Sequence, residues 1–394
     1  MGGQTEVIIN LMHPFEQVLP RSTVVVWPDK ARNITLVVTD NYDPTPEISF
    51  YRPFQHALAR HGNALVVLTH AHLMRLRGQH PNKNLRDTLS DIFANHTVSM
   101  LVLCRYTGEF WPDMLELAGK LSAPVAVHLD DNLLEVPIEL GQSIYDGYKH
   151  PTRVMALREG VKQADIVISS TKALAEQLKV YSHRQMTWGE VYCSTLPQDL
   201  REFSSRGDDS ISLGYMASAS HRHDLEYVVH GVARIMRLFP HVTLEVFGFD
   251  WEHPATDAFK DRIKLHKPVR GSYVGFRRYQ DSLAWDIGLA PLRRIHYNRC
   301  KANTKWVECS AAGAAVVAAD FDPYWTVPAD TVALSDDRGW FDQLADLVED
   351  VDLRRHRVES AQKYIKKNLM IKHHANQLVA QFALAGADLK WSAR

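Results

Sequence analysis

The sequence predicts an α/β chain of two domains in series, each a mostly parallel sheet covered on both faces by helices. Its 394 residues exceed the roughly 250–300 at which a single core stops growing. Short apolar, β-branched runs alternate with stretches whose apolar residues recur at helical spacing, the pattern of parallel strands joined by crossover helices. The alternation stops at 199–210, where Arg, Ser, Gly and Asp displace apolar residues, and then restarts.

In the first half, strands are expected at 34–38, 64–68, 100–103, 125–127 and 166–168, with helices at 54–60, 114–121 and 154–162. Asp43-Pro-Thr-Pro-Glu47 reads as a stiff turn without the glycines of a phosphate cradle. In the second half, strands are expected at 211–215, 242–247, 269–274, 287–292 and 316–319. A helix at 225–239 follows the first of them, another covers 304–312, and the last two, 340–351 and 354–385, are polar enough to wrap the outside. The domains are therefore placed at 1–200 and 210–375, with 376–394 as a terminal helix. Open α/β sheets bind ligands at the carboxyl ends of their strands, so the two sheets are expected to face one crevice.

Composition narrows the function classes. A net charge of −1 gives no global footprint for nucleic acid, so an anionic ligand must meet local cations. Cys104, Cys193, Cys300 and Cys309 are scattered without metal-ligand spacing, and no histidine pair has the helical spacing of a zinc site, so reduced thiols and no metal are expected. Residues 1–20 include Glu6 and Glu16 and lack a signal-peptide core, and no apolar run is long enough to span a bilayer. A cytoplasmic protein is expected. Residues 354–374 are rich in Arg, Lys and His, including Lys363, Lys366, Lys367 and Lys372, which leaves peripheral contact with the inner membrane face open beside the ordinary reading of a solvated helix face. The chain carries no Walker loop, Gly-x-Gly-x-x-Gly fingerprint, nucleophile elbow or tandem repeat.

The most informative segment is 286–320. Its run Ile287 to Leu292 is short and ends beside Pro291, while Thr304, Lys305 and Glu308 fall on one face of the following helix. Asn303 or Thr304 suits an N-cap, so the helix presents backbone N–H groups and its positive end beside Lys301 and Lys305, a phosphate-binding arrangement. Glu308, one turn in, is placed to accept hydrogen bonds from vicinal sugar hydroxyls. The ligand these residues imply is a nucleotide-sugar. Arg293, Arg294 and Arg299 add cations after the strand.

These residues resemble the donor-site signature of GT-B glycosyltransferases, particularly the large group 1 branch, in which a strand, loop and helix carry a glutamate that binds the nucleotide ribose. The resemblance extends from about 34 to 380. It implies two Rossmann-like α/β/α domains facing an interdomain cleft: an N-terminal acceptor domain, a C-terminal nucleotide-sugar domain, and a terminal helix that packs back on the first. One departure matters. The branch usually carries another glutamate eight positions before the retained one, and here that position is Cys300. A thiol does not replace a carboxylate that orients the transferred sugar, so retaining and inverting outcomes both stay open.

The loop 215–225 also resembles the turn of bacterial polysaccharide glycosyltransferases in which a glycine and small residues precede His-x-x-Asp-Leu, with a second glycine missing. Small residues including Ser218 and Ser220 let backbone approach a diphosphate, and His221, Arg222 or His223 complements its charge. The competing reading is that Asp224 caps the helix and the histidines are solvated. In the first domain Asp130 and Asp131 end a buried strand, where a carboxylate can take the acceptor hydroxyl's proton and its neighbour's charge raises basicity. A local turn is the alternative. Arg52 and Arg105 follow strands and are candidates for contact with the acceptor or the donor phosphate, assigned to the acceptor, against the usual surface arginine. Tyr324 and Trp325 read as packing residues or as rings that stack a base or sugar.

The expected donor set is thus Ser218, Ser220, His223, Arg293, Lys301, Asn303, Thr304, Lys305 and Glu308, the catalytic pair Asp130 and Asp131, and the acceptor set Arg52 and Arg105. The expected function is metal-independent transfer of a sugar from a nucleotide-diphosphate sugar to a hydroxyl of a glycan or glycolipid, in polysaccharide biosynthesis, with no cofactor beyond the donor substrate. A nucleotide-sugar epimerase of the same fold, or a non-catalytic nucleotide-sugar or glycan binder, is the alternative.

Overall fold

The computed structural model describes residues 13–28, 31–57, 62–182, 184–187, 192–194, 210–269 and 273–392. Apart from Ser210, the expected linker at 199–210 lies outside the described residues. Contacts divide the chain into one unit of Met1–Val136, Tyr145–Glu190 and Ile371–Arg394 and another of Pro137–Ile144 and Val191–Met370. The short segment 137–144, which the sequence placed with the first domain, belongs by its contacts to the second.

The first unit contains β1 (Val24–Val26), β2 (Asn33–Thr39), β3 (Asn63–Thr69), β4 (Thr97–Cys104), β5 (Val125–Leu129), β6 (Ile166–Ser169) and β7 (Gln185–Thr187). They form one sheet in the order β1-β3-β2-β4-β5-β6-β7, parallel except for β1, which runs antiparallel to β3. The order reverses between β2 and β4. β2, β3 and β5 are almost wholly buried, as strands covered on both faces must be, which is why they read as continuous apolar runs. The terminal helix Ile371–Ser392 packs on the short helix Arg52–His56, with Phe382 against Phe50 at 5.5 Å and Phe54 at 6.1 Å between ring centroids. The turn expected at 43–47 proves to be a helix start. Asp43 accepts a hydrogen bond from the Thr45 amide at 3.0 Å and Pro44 stands at the first helical position.

The second unit contains β8 (Ile211–Met216), β9 (Val242–Phe247), β10 (Ile263–His266), β11 (Ile287–Ala290), β12 (Ala315–Ala319) and β13 (Ala333–Ser335), all parallel, in the order β10-β9-β8-β11-β12-β13. This is the doubly wound order of a dinucleotide-binding sheet, with its switch point between β8 and β11. Gly288 on β11 is required by packing. A Cβ there would stand 2.8 Å from that of Cys309 on the helix Thr304–Ala311.

Two expectations need correction. The strand expected at 269–274 is not formed over its described part: Tyr273 and Val274 begin the helix Tyr273–Leu283, and 270–272 lie outside the described residues. The third strand of this sheet is instead β10, an edge strand whose Lys264 and Leu265 are exposed, so it lacks the continuous apolar signal of its neighbours. The single helix expected at 354–385 is two, Val351–Asn368 and Ile371–Ser392. At the break the Leu369 carbonyl accepts from the Cys193 amide at 2.7 Å and Met370 bridges to Cys193, a distant competitor for the helix's own hydrogen bonds. No glycine or proline marks the break.

Candidate functional site

In the second unit, β8 delivers its chain into a loop of small residues at 217–220 before the helix Arg222–Leu238 begins. Two constraints hold this loop. The buried Tyr215 hydroxyl donates to the His221 carbonyl at 2.9 Å, and the Ala217 amide donates to Phe247 at 3.0 Å. Gly248, at φ 112°, lies under the loop so closely that a Cβ would come within 2.2 Å of the Ala217 carbonyl oxygen. Ser218 and Ser220 share a hydrogen bond at 2.7 Å.

Asp224, 2% exposed, joins this loop to the loop after β11 across the switch point. It receives His221 Nδ1 at 2.8 Å and the Arg293 amide at 3.1 Å. Burial pushes its carboxyl upward, but the hydrogen bond from His221 and the Lys305 charge outweigh burial and leave it below its ordinary value. His221 is held down to about 4 by burial and then by Lys305 and Lys301, against the opposing pull of Asp224. His221 is therefore neutral at pH 7, donating from Nδ1 and leaving Nε2 as an acceptor.

The β11 loop is built around Asn298, fully buried, whose amide donates to the Arg293 carbonyl at 2.9 Å. The Arg293 guanidinium approaches Asp224 and donates to the Glu139 carbonyl. The helix Thr304–Ala311 then starts from Asn303, whose φ of −78° and ψ of 31° carry no side-chain cap. The expected capping by Asn303 or Thr304 is absent because Asn303 sits outside the extended region a capping residue adopts. Lys305 Nζ stands 5.8 Å from the Tyr215 ring centroid and Lys301 Nζ 5.1 Å from that of Tyr297. Burial, with Lys301 adding to it and Asp224 opposing, lowers the Lys305 pKa. An uncapped helix start, two lysines and the small-residue loop thus surround one switch point.

Glu308 is 5% exposed and accepts from the Tyr273 hydroxyl. Its backbone carbonyl receives Arg277 Nη1 at 3.0 Å, and Arg277, itself 7% exposed, also reaches Asp281 at 3.2 Å. Tyr273, Arg277, His221 and Asp224 were not in the expected donor set. The spacing Tyr273, Arg277, Gln280 on one helical face was available as a signal, but polar residues on a face normally mean solvent. His223 pairs with Glu226 at 2.7 Å along its own helix, so His221 is the histidine that the structure brings to Asp224. Cys300 is fully buried, so the position where the resemblance expects a second carboxylate faces the core.

In the first unit a second cluster lies at the switch point between β2 and β4. Arg105, following β4 with a φ of 52°, donates from Nη1 to Asp130 at 3.2 Å and to Thr45 at 3.1 Å, and from Nη2 to Tyr148 at 3.1 Å. Thr45 donates to Asp130 at 2.7 Å. Asp40 accepts from the Thr107 amide and hydroxyl at 3.1 and 2.6 Å. The environment of Asp130 is therefore set by a guanidinium as well as by its acidic neighbour Asp131. The left-handed backbone at a non-glycine residue is strain of the kind that collects at functional sites. Arg52 is 8% exposed and paired with Glu47 at 3.4 Å, while Glu47 also accepts from Tyr42 at 2.6 Å. Among the described residues no group of three or more His, Cys, Asp or Glu is placed to hold a metal ion, and no helix is long and apolar enough to cross a membrane.

No family model matches the chain, and no curated protein matches its sequence. Solved structures do. HepE of Anabaena, in complex with UDP and glucose, superposes with a TM-score of 0.61 at 14% identity, over 89% of this chain and 98% of that one. A glycosyltransferase from Rickettsia africae gives 0.58 at 10% identity, over 90% and 98%. The pneumococcal O-GlcNAc transferase GtfA, in complex with UDP and GlcNAc, gives 0.54 at 16% identity over 76% of this chain and 59% of its own. These are GT-B structures. This chain has the GT-B fold. The two switch points described above belong to the two α/β sheets of that fold, each with its own cluster of charged and hydroxyl side chains.

Proposed function

We propose that the chain is a glycosyltransferase moving a sugar from a nucleotide-diphosphate sugar to a hydroxyl of a glycan or glycolipid, in polysaccharide biosynthesis and without a metal ion. One observation carries the reading: an uncapped helix start at Thr304 flanked by Lys301 and Lys305, opposite the small-residue loop 217–220 at the switch point of the second sheet. A lysine whose pKa burial lowers, with Lys301 adding to the effect, is relieved by an anion, and N–H groups at an uncapped helix start supply the anion's remaining hydrogen bonds. A diphosphate fits both needs. The HepE and GtfA complexes with UDP support the same ligand class here.

The chemistry follows from where charge develops. As the glycosidic bond breaks, the leaving diphosphate gains negative charge, which Lys301, Lys305 and the Thr304 and Lys305 amides stabilise without reorganising. Arg293 contributes by fixing the loop after β11 and not by touching the diphosphate, because its amide and guanidinium are turned to Asp224 and Glu139 and its carbonyl accepts from Asn298. Glu308 accepts from the ribose hydroxyls, exchanging the Tyr273 hydroxyl for them or sharing it. Asp130 takes the acceptor proton in an inverting reaction and positions the acceptor in a retaining one, with Arg105 fixing its orientation. A cytoplasmic location goes with this reading, and the exposed Lys363, Lys366 and Lys367 of the basic run fit a solvated helix face, with peripheral contact at the inner membrane face as the second reading.

Thermal-shift measurement against UDP, GDP, dTDP and CMP and their sugars tests the donor. A ligand at 100 times its Kd adds about 2.7 kcal/mol of stability to the folded state. Absence of stabilisation by every nucleotide at millimolar concentration overturns the proposal. Incubating the stabilising donor alone and with glycan acceptors then separates the classes. Epimerised donor without acceptor assigns the chain to the epimerases, and intact donor under all conditions assigns it to the binders.

A further inference from the structure

Beyond the donor site, the carboxyl ends of β11 and β12 enclose an open hollow of about 370 Å³ lined by Arg294, Ile295, His296, Arg299, Phe321 and Trp325. Small-molecule sites commonly measure ~300–1,000 Å³. Three aromatic residues follow β12 in close succession, and they part company: Phe321 and Tyr324 are 6% and 2% exposed, whereas Trp325 is 57% exposed. Its ring is nonetheless fixed, because Nε1 donates to Asp320 at 2.7 Å and its amide to the Asp322 carbonyl at 3.2 Å. An exposed ring held in one orientation has already lost the freedom that binding would otherwise remove.

The polar groups around the ring define the ligand. Arg294 faces Asp320 at 3.9 Å and Asp337 at 3.6 Å, and Arg299 faces Asp322 at 3.3 Å. Asp322 Oδ2 is buried and accepts no hydrogen bond among the described residues, although Arg299 stands against it. Both guanidiniums are matched by carboxylates, so the hollow has no surplus positive charge to draw an anion. What it does offer is a flat apolar face, the Trp325 ring, beside guanidinium N–H donors whose charge is already balanced, a pairing suited to neutral hydroxyls. We propose that this hollow is a subsite for a neutral pyranose, whose C–H face stacks on Trp325 while its hydroxyls meet the guanidinium N–H groups of Arg294 and Arg299, which Asp320 and Asp322 hold in place.

The subsite stands on its own side chains and not on the donor reading, so it is tested without nucleotide. Saturation-transfer NMR on the full chain with methyl glucoside, methyl galactoside, methyl mannoside, N-acetylglucosamine and glucuronic acid measures binding directly. At least one neutral pyranose is expected to bind, with affinity falling about tenfold in Trp325→Ala and largely kept in Trp325→Phe. The melting temperature without ligand, and any stabilisation by UDP, stay as in the parent protein. Failure of all neutral pyranoses to bind, equal binding by Trp325→Ala, or a clear preference for glucuronic acid overturns the subsite. A loss of UDP stabilisation in a Lys305 variant with sugar binding intact would bear on the donor site alone.

Discussion

Lys305 carries its ammonium beside that of Lys301 and near the Tyr215 ring, and burial together with the neighbouring charge holds its pKa below the ordinary lysine value. The free protein therefore bears a local electrostatic cost that an anion removes. Lys305→Met is expected to leave the melting temperature of the free protein unchanged or slightly raised. The same change weakens nucleoside diphosphate binding by about 10–100-fold, as expected for a lost hydrogen bond to a charged group. Isothermal titration with UDP or the nucleotide that stabilises best checks this, and unchanged affinity removes Lys305 from the site. Glu308 makes a different prediction. If its carboxylate reads the ribose, Glu308→Ala weakens UDP while leaving pyrophosphate binding untouched, whereas a purely structural glutamate would affect both alike. Thr304, Lys305 and Glu308 were legible as one helical face, and Lys301 as its neighbour in sequence, because local spacing alone sets both. His221 was legible only as one of three candidates and Asp224 only as a helix cap, since the hydrogen bond from the Arg293 amide joins residues that only the strand order brings together.

The loop after β8 is held from beneath by Gly248, whose φ of 112° and close approach to the Ala217 carbonyl leave no room for a side chain. Gly248→Ala is expected to destabilise the protein by about 1–3 kcal/mol through strain. Because the strain falls on the 217–220 loop, nucleotide binding should weaken as well, which urea unfolding and titration on the same variant separate. Unperturbed binding in a destabilised variant would show that the loop does not touch the ligand. Buried central strands announced themselves in the sequence, since coverage on both faces demands unbroken apolar runs. The strands β1, β7, β10 and β13 were not anticipated. Strands of three or four residues, some with solvent on one side, carry too few apolar positions to distinguish them from loops.

For the molecule as a whole, stability should fall on acidification for a reason visible in the first unit. His128 is fully buried, and desolvation lowers its pKa to about 4, with Arg105 adding to the effect and Asp130 opposing it. An unfolded histidine titrates near 6.5. The unfolded chain thus binds more protons between about 4 and 6.5, so the stability is fully present above 6.5 and is lost as pH falls through that window. The loss amounts to roughly 2 kcal/mol at pH 5 from this group. His221, also held near 4, adds to it in the second unit. Urea midpoints at pH 7.5 and 5.0 measure the difference, and His128→Asn should shrink it. A difference of the same size in the variant would assign the acid sensitivity elsewhere. The terminal helix makes an independent case: Phe382 is 1% exposed between Phe50 and Phe54, and Phe382→Ala is expected to cost about 3–5 kcal/mol. A cost below ~1 kcal/mol would mean the helix is dispensable to the first unit's core.

The amino-acid sequence by itself determined the alternation of central strands and helices, the division into two α/β sheets, and the one contiguous segment in which a run of cations leads into the helix that carries Lys305 and Glu308. Those properties depend on residues within a few turns of one another. Tertiary structure alone decided the strand orders and with them the two switch points. It also selected His221 over His223, turned Arg293 toward Asp224, sealed Cys300 in the core and swung Trp325 outward. Each of these depends on which distant backbone or carboxylate arrives beside the residue, and local periodicity holds no record of that.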